Sequence, residues 1–217
     1  MSAHARCLLS MARLAQAALI EAAAAAVAAH AEELSELDRA IGDGDHGLNM
    51  QRGLDAVRAK QSTLAALPLP QLLRQAGMEL VLKVGGASGP LYGTLLMALG
   101  QALGPALDAP PDRAHLTAAL RQAVDAVKAR GRSDAGQKTL LDVLDPVHAA
   151  LARGATAAEI RAVALEAAEA TKPLRAQRGR ASFLGERSIG HVDPGARSCA
   201  LLVAAVTDVL EAPESAP

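Results

Sequence analysis

Apolar residues recur at three- and four-residue spacing through most of the chain and nowhere alternate with polar ones over a β-branched run. Read with its glycine and proline punctuation, this pattern predicts eight helical stretches, at approximately 4–36, 47–61, 69–84, 90–104, 113–130, 137–153, 156–178 and 194–212. The expected fold class is all-α, which argues against a Rossmann or P-loop sheet. Successive helices joined by short loops run antiparallel, so the odd-numbered connections should all lie at one end. Those four are Gly42-Asp43-Gly44-Asp45-His46-Gly47, Gly85-Gly86-Ala87-Ser88-Gly89-Pro90, Gly131-Arg132-Ser133-Asp134-Ala135-Gly136 and the long Gly179 to Gly195. All are rich in glycine with Ser, Asp, His or Arg. The even connections, around Leu67-Pro68-Leu69-Pro70, Ala109-Pro110-Pro111 and Arg153-Gly154-Ala155, are ordinary. Chemically loaded loops are therefore expected to converge on one rim, each feeding a helix N-terminus. Pro90 and Pro194 are expected at the first helical position.

The first loop is the most informative. Asp38, Asp43 and Asp45 fall within eight positions. Carboxylates so close repel one another unless a hard divalent cation is shared, and oxygen-only ligands suit Mg²⁺ or Ca²⁺. The competing reading makes Asp43 and Asp45 turn or cap residues. An EF-hand fails, because Leu54 stands where the bidentate Glu belongs. Glycine-rich turns that open helices also present free N–H groups to a phosphate. Gly85-Gly86-Ala87-Ser88-Gly89 permits close backbone approach but lacks the Gly-Lys-Ser/Thr of a Walker A loop. In the fourth loop Arg180 and Arg187 could grip phosphate, Asp193 before Pro194 reads as an N-cap, and His191 has no visible partner.

Composition narrows the classes. The 217 residues fit one domain (1–217), with a loose tail at about 211–217. A net charge of −1 sets up no field for nucleic acid, and Tyr92 and Phe183 are the only aromatics, so stacking platforms are absent. Cys7 and Cys199 match no disulfide framework or metal spacing, which suits a reduced, cytoplasmic protein. The apolar run Leu14 to Ala29 is interrupted by Glu21 and reads as a surface or packing helix rather than a signal peptide or membrane span.

Three motifs carry a resemblance over nearly the whole chain: Leu37-Asp38 with Ile41 through Gly53, Val84 through Gly93, and Gly179 through His191 with Asp193-Pro194-Gly195. They resemble the nucleotide-binding L subunit of bacterial dihydroxyacetone kinases. The resemblance implies an antiparallel eight-helix barrel with its active-site loops at one rim. It implies ADP or ATP held there, with two Mg²⁺ ions on Asp38, Asp43 and Asp45. His46, Leu48, Asn49, Gly86, Ala87, Ser88, Gly131, Leu140, Arg180, Asp193, Pro194 and Gly195 would contact the nucleotide. No residue is assigned as catalytic, because transfer would be carried by the metal and phosphate site. The partners implied are a K subunit that holds dihydroxyacetone and a phosphohistidine-carrying M subunit. Neither nucleic acid nor membrane is implied, and a homodimer is left open.

Two positions depart from the family's pattern. Gln137 replaces a common Asp, which leaves open what that residue orients, and Leu140 replaces a common Met, which keeps an apolar wall. His46, where relatives in fatty-acid kinases carry Thr, leans towards the dihydroxyacetone branch. No K domain is attached between Met1 and Pro217. That favours resident ADP rephosphorylated by the phosphotransferase system over an ATP-exchanging kinase. A nucleotide-sensing regulatory protein is the alternative of another class.

Overall fold

Small apolar side chains dominate the helices and let them approach closely. The computed structural model describes residues 3–104 and 111–212, with side chains from Met11 onward. Among these residues are ten α-helices and no strand: α1 (Ala3–Ala29), α2 (Ala31–Ile41), α3 (His46–Arg58), α4 (Gln61–Leu64), α5 (Leu69–Lys83), α6 (Ser88–Ala102), α7 (Arg113–Gly131), α8 (Leu141–Ala152), α9 (Ala157–Glu169) and α10 (Pro194–Glu211). A 3-10 segment, Arg180–Ser188, lies in the last long connection.

Packing follows chain order. Helices α1 and α2 pack on α3, α3 on α5, and each of α5 to α9 on the next long helix; α10 then returns to α1, so the contacts close on themselves. Leu34, Met50, Val124, Val127, Leu141 and Val143 fill the centre, and Ala164, Ala168 and Ala200 line it where helices crowd. Two crossings depend on glycine. A Cβ on Gly77 would lie 2.8 Å from the Gly93 carbonyl oxygen, and one on Gly47 would lie 1.8 Å from the Ala31 carbonyl oxygen. Segment Met11–Ala29 is long and apolar enough, by length and composition, to cross a membrane. Here α1 packs on α3 and α10 and buries Ile20, Ala24 and Val27, as expected of a packing helix.

Several boundaries differ from the periodicity. The first stretch breaks at His30, whose Nδ1 lies 2.7 Å from Glu33 Oε2 while Arg197 Nε lies 2.6 Å from Glu33 Oε1. A tertiary contact to α10 thus fixes a break that an alanine run cannot signal. Helix α6 starts at Ser88, so Pro90 sits at the third helical position rather than the first. The stretch 137–153 starts only at Leu141, because Lys138 has φ +63°. The stretch 156–178 ends at Glu169, shortly before Pro173. Pro194 does occupy the first position of α10, capped by the Asp193 side chain. Positions 105–110, with part of the Ala109-Pro110-Pro111 connector, and tail residues 213–217 lie outside the described residues.

Candidate functional site

All four glycine-rich connections line one cavity of about 410 Å³, and neither the 67–70 nor the 153–155 connection reaches it. On one wall, the Asp38, Asp43 and Asp45 carboxylates offer ligand atoms within 4.8 Å of one another. Asp38, on the last turn of α2, uses Oδ2 to accept the backbone N–H of Asp45 (2.9 Å) and of His46 (3.2 Å). It thereby satisfies the start of α3 from outside that helix. Asp45 occupies the N-cap position of α3 without making the side-chain cap bond. The Asp43 carboxylate forms an ion pair with Arg180, Oδ2 to Nη1 2.8 Å. Asp43 and Asp45 do occupy the turn and the N-cap position, but neither side chain makes a cap bond, and both residues line the cavity. Gly42 makes the turn possible, since a Cβ there would lie 2.2 Å from Asp38 Oδ1. An all-oxygen donor set of this charge fits a hard divalent cation such as magnesium.

The mouth of α6 lines the same cavity. His46, buried, has Nδ1 3.1 Å from Ser88 Oγ and Nε2 2.9 Å from Ser198 Oγ. Burial lowers its pKa, against the pull of Asp38 and Asp45. Asn49, Gly86, Ala87 and Ser88 also line the cavity.

The third and fourth loops are fastened by buried charge. Lys138 is 1% exposed. Its ammonium donates to the carbonyls of Thr171 (2.8 Å), Lys172 (3.5 Å) and His191. The Asp142 carboxylate accepts from the N–H of Gly136 (2.5 Å) and Thr139 (2.7 Å), which pins the turn that ends at Leu140. Gln137 Oε1 accepts from Arg178 Nε at 3.0 Å and so orients an arginine that lines the cavity.

Asp193 caps α10 by accepting from Ala196 N at 2.7 Å. Burial pushes its carboxyl up from 3.8 to about 7, although Lys138 nearby pulls the other way. With a folded-state pKa above the unfolded one, the folded protein binds this proton more tightly. The stability it confers is complete below the unfolded pKa and is lost as pH rises through about 7. Asp193→Asn keeps a capping side chain and removes the titration. Between about pH 5 and about pH 8 the variant should therefore gain stability relative to the parent, read by urea unfolding. A parent-to-variant difference that stays constant over that range would contradict the raised carboxyl.

Asp38, Asp43, Asp45, His46, Asn49, Gly86, Ala87, Ser88, Gly131, Leu140, Arg180, Asp193, Pro194 and Gly195 all line the cavity. Leu48 does not: it is 58% exposed on the outer face of α3. Lys138, Arg178, Leu91 and Tyr92 line it without having been singled out from the sequence, as does the backbone of Gly179. A left-handed lysine has no periodic signature, and Tyr92 reads as one more apolar position of α6.

A closed circuit of helices with a polar, carboxylate-bearing cavity at one end defines a class of all-helical ligand-binding proteins rather than a sheet-based nucleotide fold. Residues 40–208 match the DAK2 domain family, and the chain belongs to that family. It is 46% identical over 169 residues to the ADP-binding subunit DhaL of PEP-dependent dihydroxyacetone kinase 1 from Listeria innocua, covering 78% of this chain and 82% of that protein. Identity to the ADP-binding subunit DhaL of the PEP-dependent dihydroxyacetone kinase from Escherichia coli is 42% over 175 residues, covering 77% and 82%. The crystal structure of the dihydroxyacetone kinase from C. freundii in complex with AMP-PNP and Mg²⁺ superposes with a TM-score of 0.68 at 25% identity, over 89% of this chain and 33% of that one.

Proposed function

We propose that this chain, acting as one domain, is the nucleotide-binding L subunit of a dihydroxyacetone kinase. It would pass a phosphoryl group from a magnesium-bound adenine nucleotide to dihydroxyacetone held on a partner K subunit. ADP is then a resident cofactor, rephosphorylated by a phosphohistidine-carrying M subunit. The observation that carries this reading is the aspartate trio sharing one cavity with glycine-rich helix mouths, in a chain of the DAK2 domain family.

Asp38, Asp43 and Asp45 would hold two magnesium ions, with Asp38 pre-set by its two backbone bonds. When bound, the ions neutralise polyphosphate charge and align the transferred group. The N-terminus of α6 at Ala87 and Ser88 presents N–H groups to phosphate. Arg180, already beside Asp43, adds an exposed positive charge at the rim. Adenine would pack against Leu91, Gly131 and Leu140, which line the cavity together with the Asp193-Pro194-Gly195 turn. No general base is required of this chain, because phosphoryl transfer is driven by positioning and charge neutralisation.

The test is the nucleotide and magnesium content of the purified, gel-filtered protein after denaturation. Near-stoichiometric ADP is expected. An empty protein that binds added Mg-ATP would move the reading to an exchanging kinase or sensor. Failure to bind either nucleotide or metal would overturn it.

A further inference from the structure

An unbroken chain of polar groups runs from the interior to the cavity wall. Tyr92 Oη lies 2.7 Å from Ser198 Oγ, Ser198 Oγ lies 2.9 Å from His46 Nε2, and His46 Nδ1 lies 3.1 Å from Ser88 Oγ. The chain passes from α6 to α10 to α3 and back to the first residue of α6. Tyr92, Ser198 and His46 are buried, while Ser88 is half-exposed at the cavity. The carbonyl of Gly195 lies 3.1 Å from both the Tyr92 and the Ser198 hydroxyls.

These groups admit two complete arrangements, since each hydroxyl has one proton and a neutral imidazole has one donor and one acceptor. In the inward one, Ser88 donates to His46 Nδ1, and His46 Nε2 donates to Ser198. Ser198 then donates to Gly195. In the outward one, Tyr92 donates to Ser198, Ser198 to Nε2, and Nδ1 to Ser88, which leaves the Ser88 proton facing the cavity. The 2.7 Å link from Tyr92 to Ser198 is shorter than the 3.1 Å approach of either hydroxyl to Gly195. A Tyr92 hydroxyl that donates along it occupies one lone pair of Ser198 Oγ and strengthens the Ser198 O–H as a donor to His46 Nε2. A phosphate beside Ser88 selects the same direction, because it accepts and cannot donate to the hydroxyl.

We propose that Tyr92 is a positioning residue for the bound phosphate, acting through Ser198 and His46 to turn the Ser88 hydroxyl proton into the cavity. This rests on the nucleotide reading above. Without the Tyr92 hydroxyl, Gly195 becomes the better acceptor for Ser198, the chain reverses, and Ser88 spends its proton on His46.

The experiment compares the parent protein with Tyr92→Phe, Ser88→Ala and the double variant, titrated with Mg-ADP and with adenosine. Each single variant should weaken Mg-ADP about tenfold and leave adenosine unchanged. The double variant should be no weaker than Ser88→Ala alone, since both changes remove the same contact. Nitrogen-15 spectra of the ADP complex should place the His46 proton on Nδ1 in the parent and on Nε2 in Tyr92→Phe. Additive losses, equal losses for adenosine, or an unmoved His46 proton would each overturn the proposal. If Tyr92→Phe yields no folded protein, Ser198→Ala breaks the middle link and carries the same expectations. A parent that binds no Mg-ADP overturns the nucleotide reading and this proposal together. A parent that binds while the variants behave additively overturns this proposal alone.

Discussion

On the proposed function, Asp43→Ala is expected to abolish phosphoryl transfer in an assay with a K and an M subunit and to leave the helical fold intact. Asp43 sits in the turn between α2 and α3, caps neither helix, and is paired only with the exposed Arg180 among the described residues. Its loss should therefore change stability by no more than about 0.5 kcal/mol, the usual range for a surface substitution. The cost to function is of another order. One of three carboxylates would disappear from the proposed cation site, and several kcal/mol of metal-borne charge stabilisation would go with it. A rate loss of at least ~10³-fold follows. Calorimetric magnesium titration should show weakened binding with an unchanged thermal midpoint. Full activity with magnesium still bound in the variant would remove Asp43 from the site.

The second large effect is structural. Gly47→Ala places a Cβ 1.8 Å from the Ala31 carbonyl oxygen and 2.7 Å from Ser35 Oγ. The nearer clash is with backbone, so no side-chain rotation relieves it and α2 must part from α3. A loss of about 3 kcal/mol is expected for such overpacking. For a chain of this size that lowers Tm by roughly 6–12 °C. Separation of the two helices also draws Asp38 away from the backbone of Asp45 and His46, so magnesium affinity should fall in the fraction still folded. Gly136→Ala is the contrast: φ is +83° and a Cβ there meets nothing within 4 Å, so about 1 kcal/mol is expected. Equal thermal midpoints for the two variants would show that the α2–α3 crossing is not held at this distance.

What the sequence made legible were features that local chemistry dictates. Helix after helix announced itself by spacing, and the glycine-rich loops by composition; antiparallel succession was then enough to set Asp43, Ser88, Gly131 and Arg180 around one space. The Asp193 cap was legible because Asp before Pro leaves the chain few other conformations. What stayed hidden depends on partners distant in sequence. His30 breaks a helix beside Glu33, which Arg197 of α10 grips. Lys138 looks like an exposed lysine until the carbonyls of Thr171 and His191 surround it. Leu48, inside a motif rich in cavity residues, points away because the helical turn from His46 to Asn49 carries it outward. Ser198, a polar residue within an apolar helix, gained its meaning only from the imidazole it meets.

The closed circuit of helices also governs what can be attached to the molecule. Helix α10 begins at the cavity with Pro194, and at its other end the Glu211 carboxylate accepts from Ala158 N at the start of α9, 2.7 Å away. Glu33, one turn into α2, meets Arg197 in the first turn of α10, so the preceding α1 extends from there towards the same far end. Both terminal helices thus lead away from the mouth. A linker, tag or further domain joined to either would hang beneath the circuit like a stem below a cup, and the rim would stay open to a docking subunit.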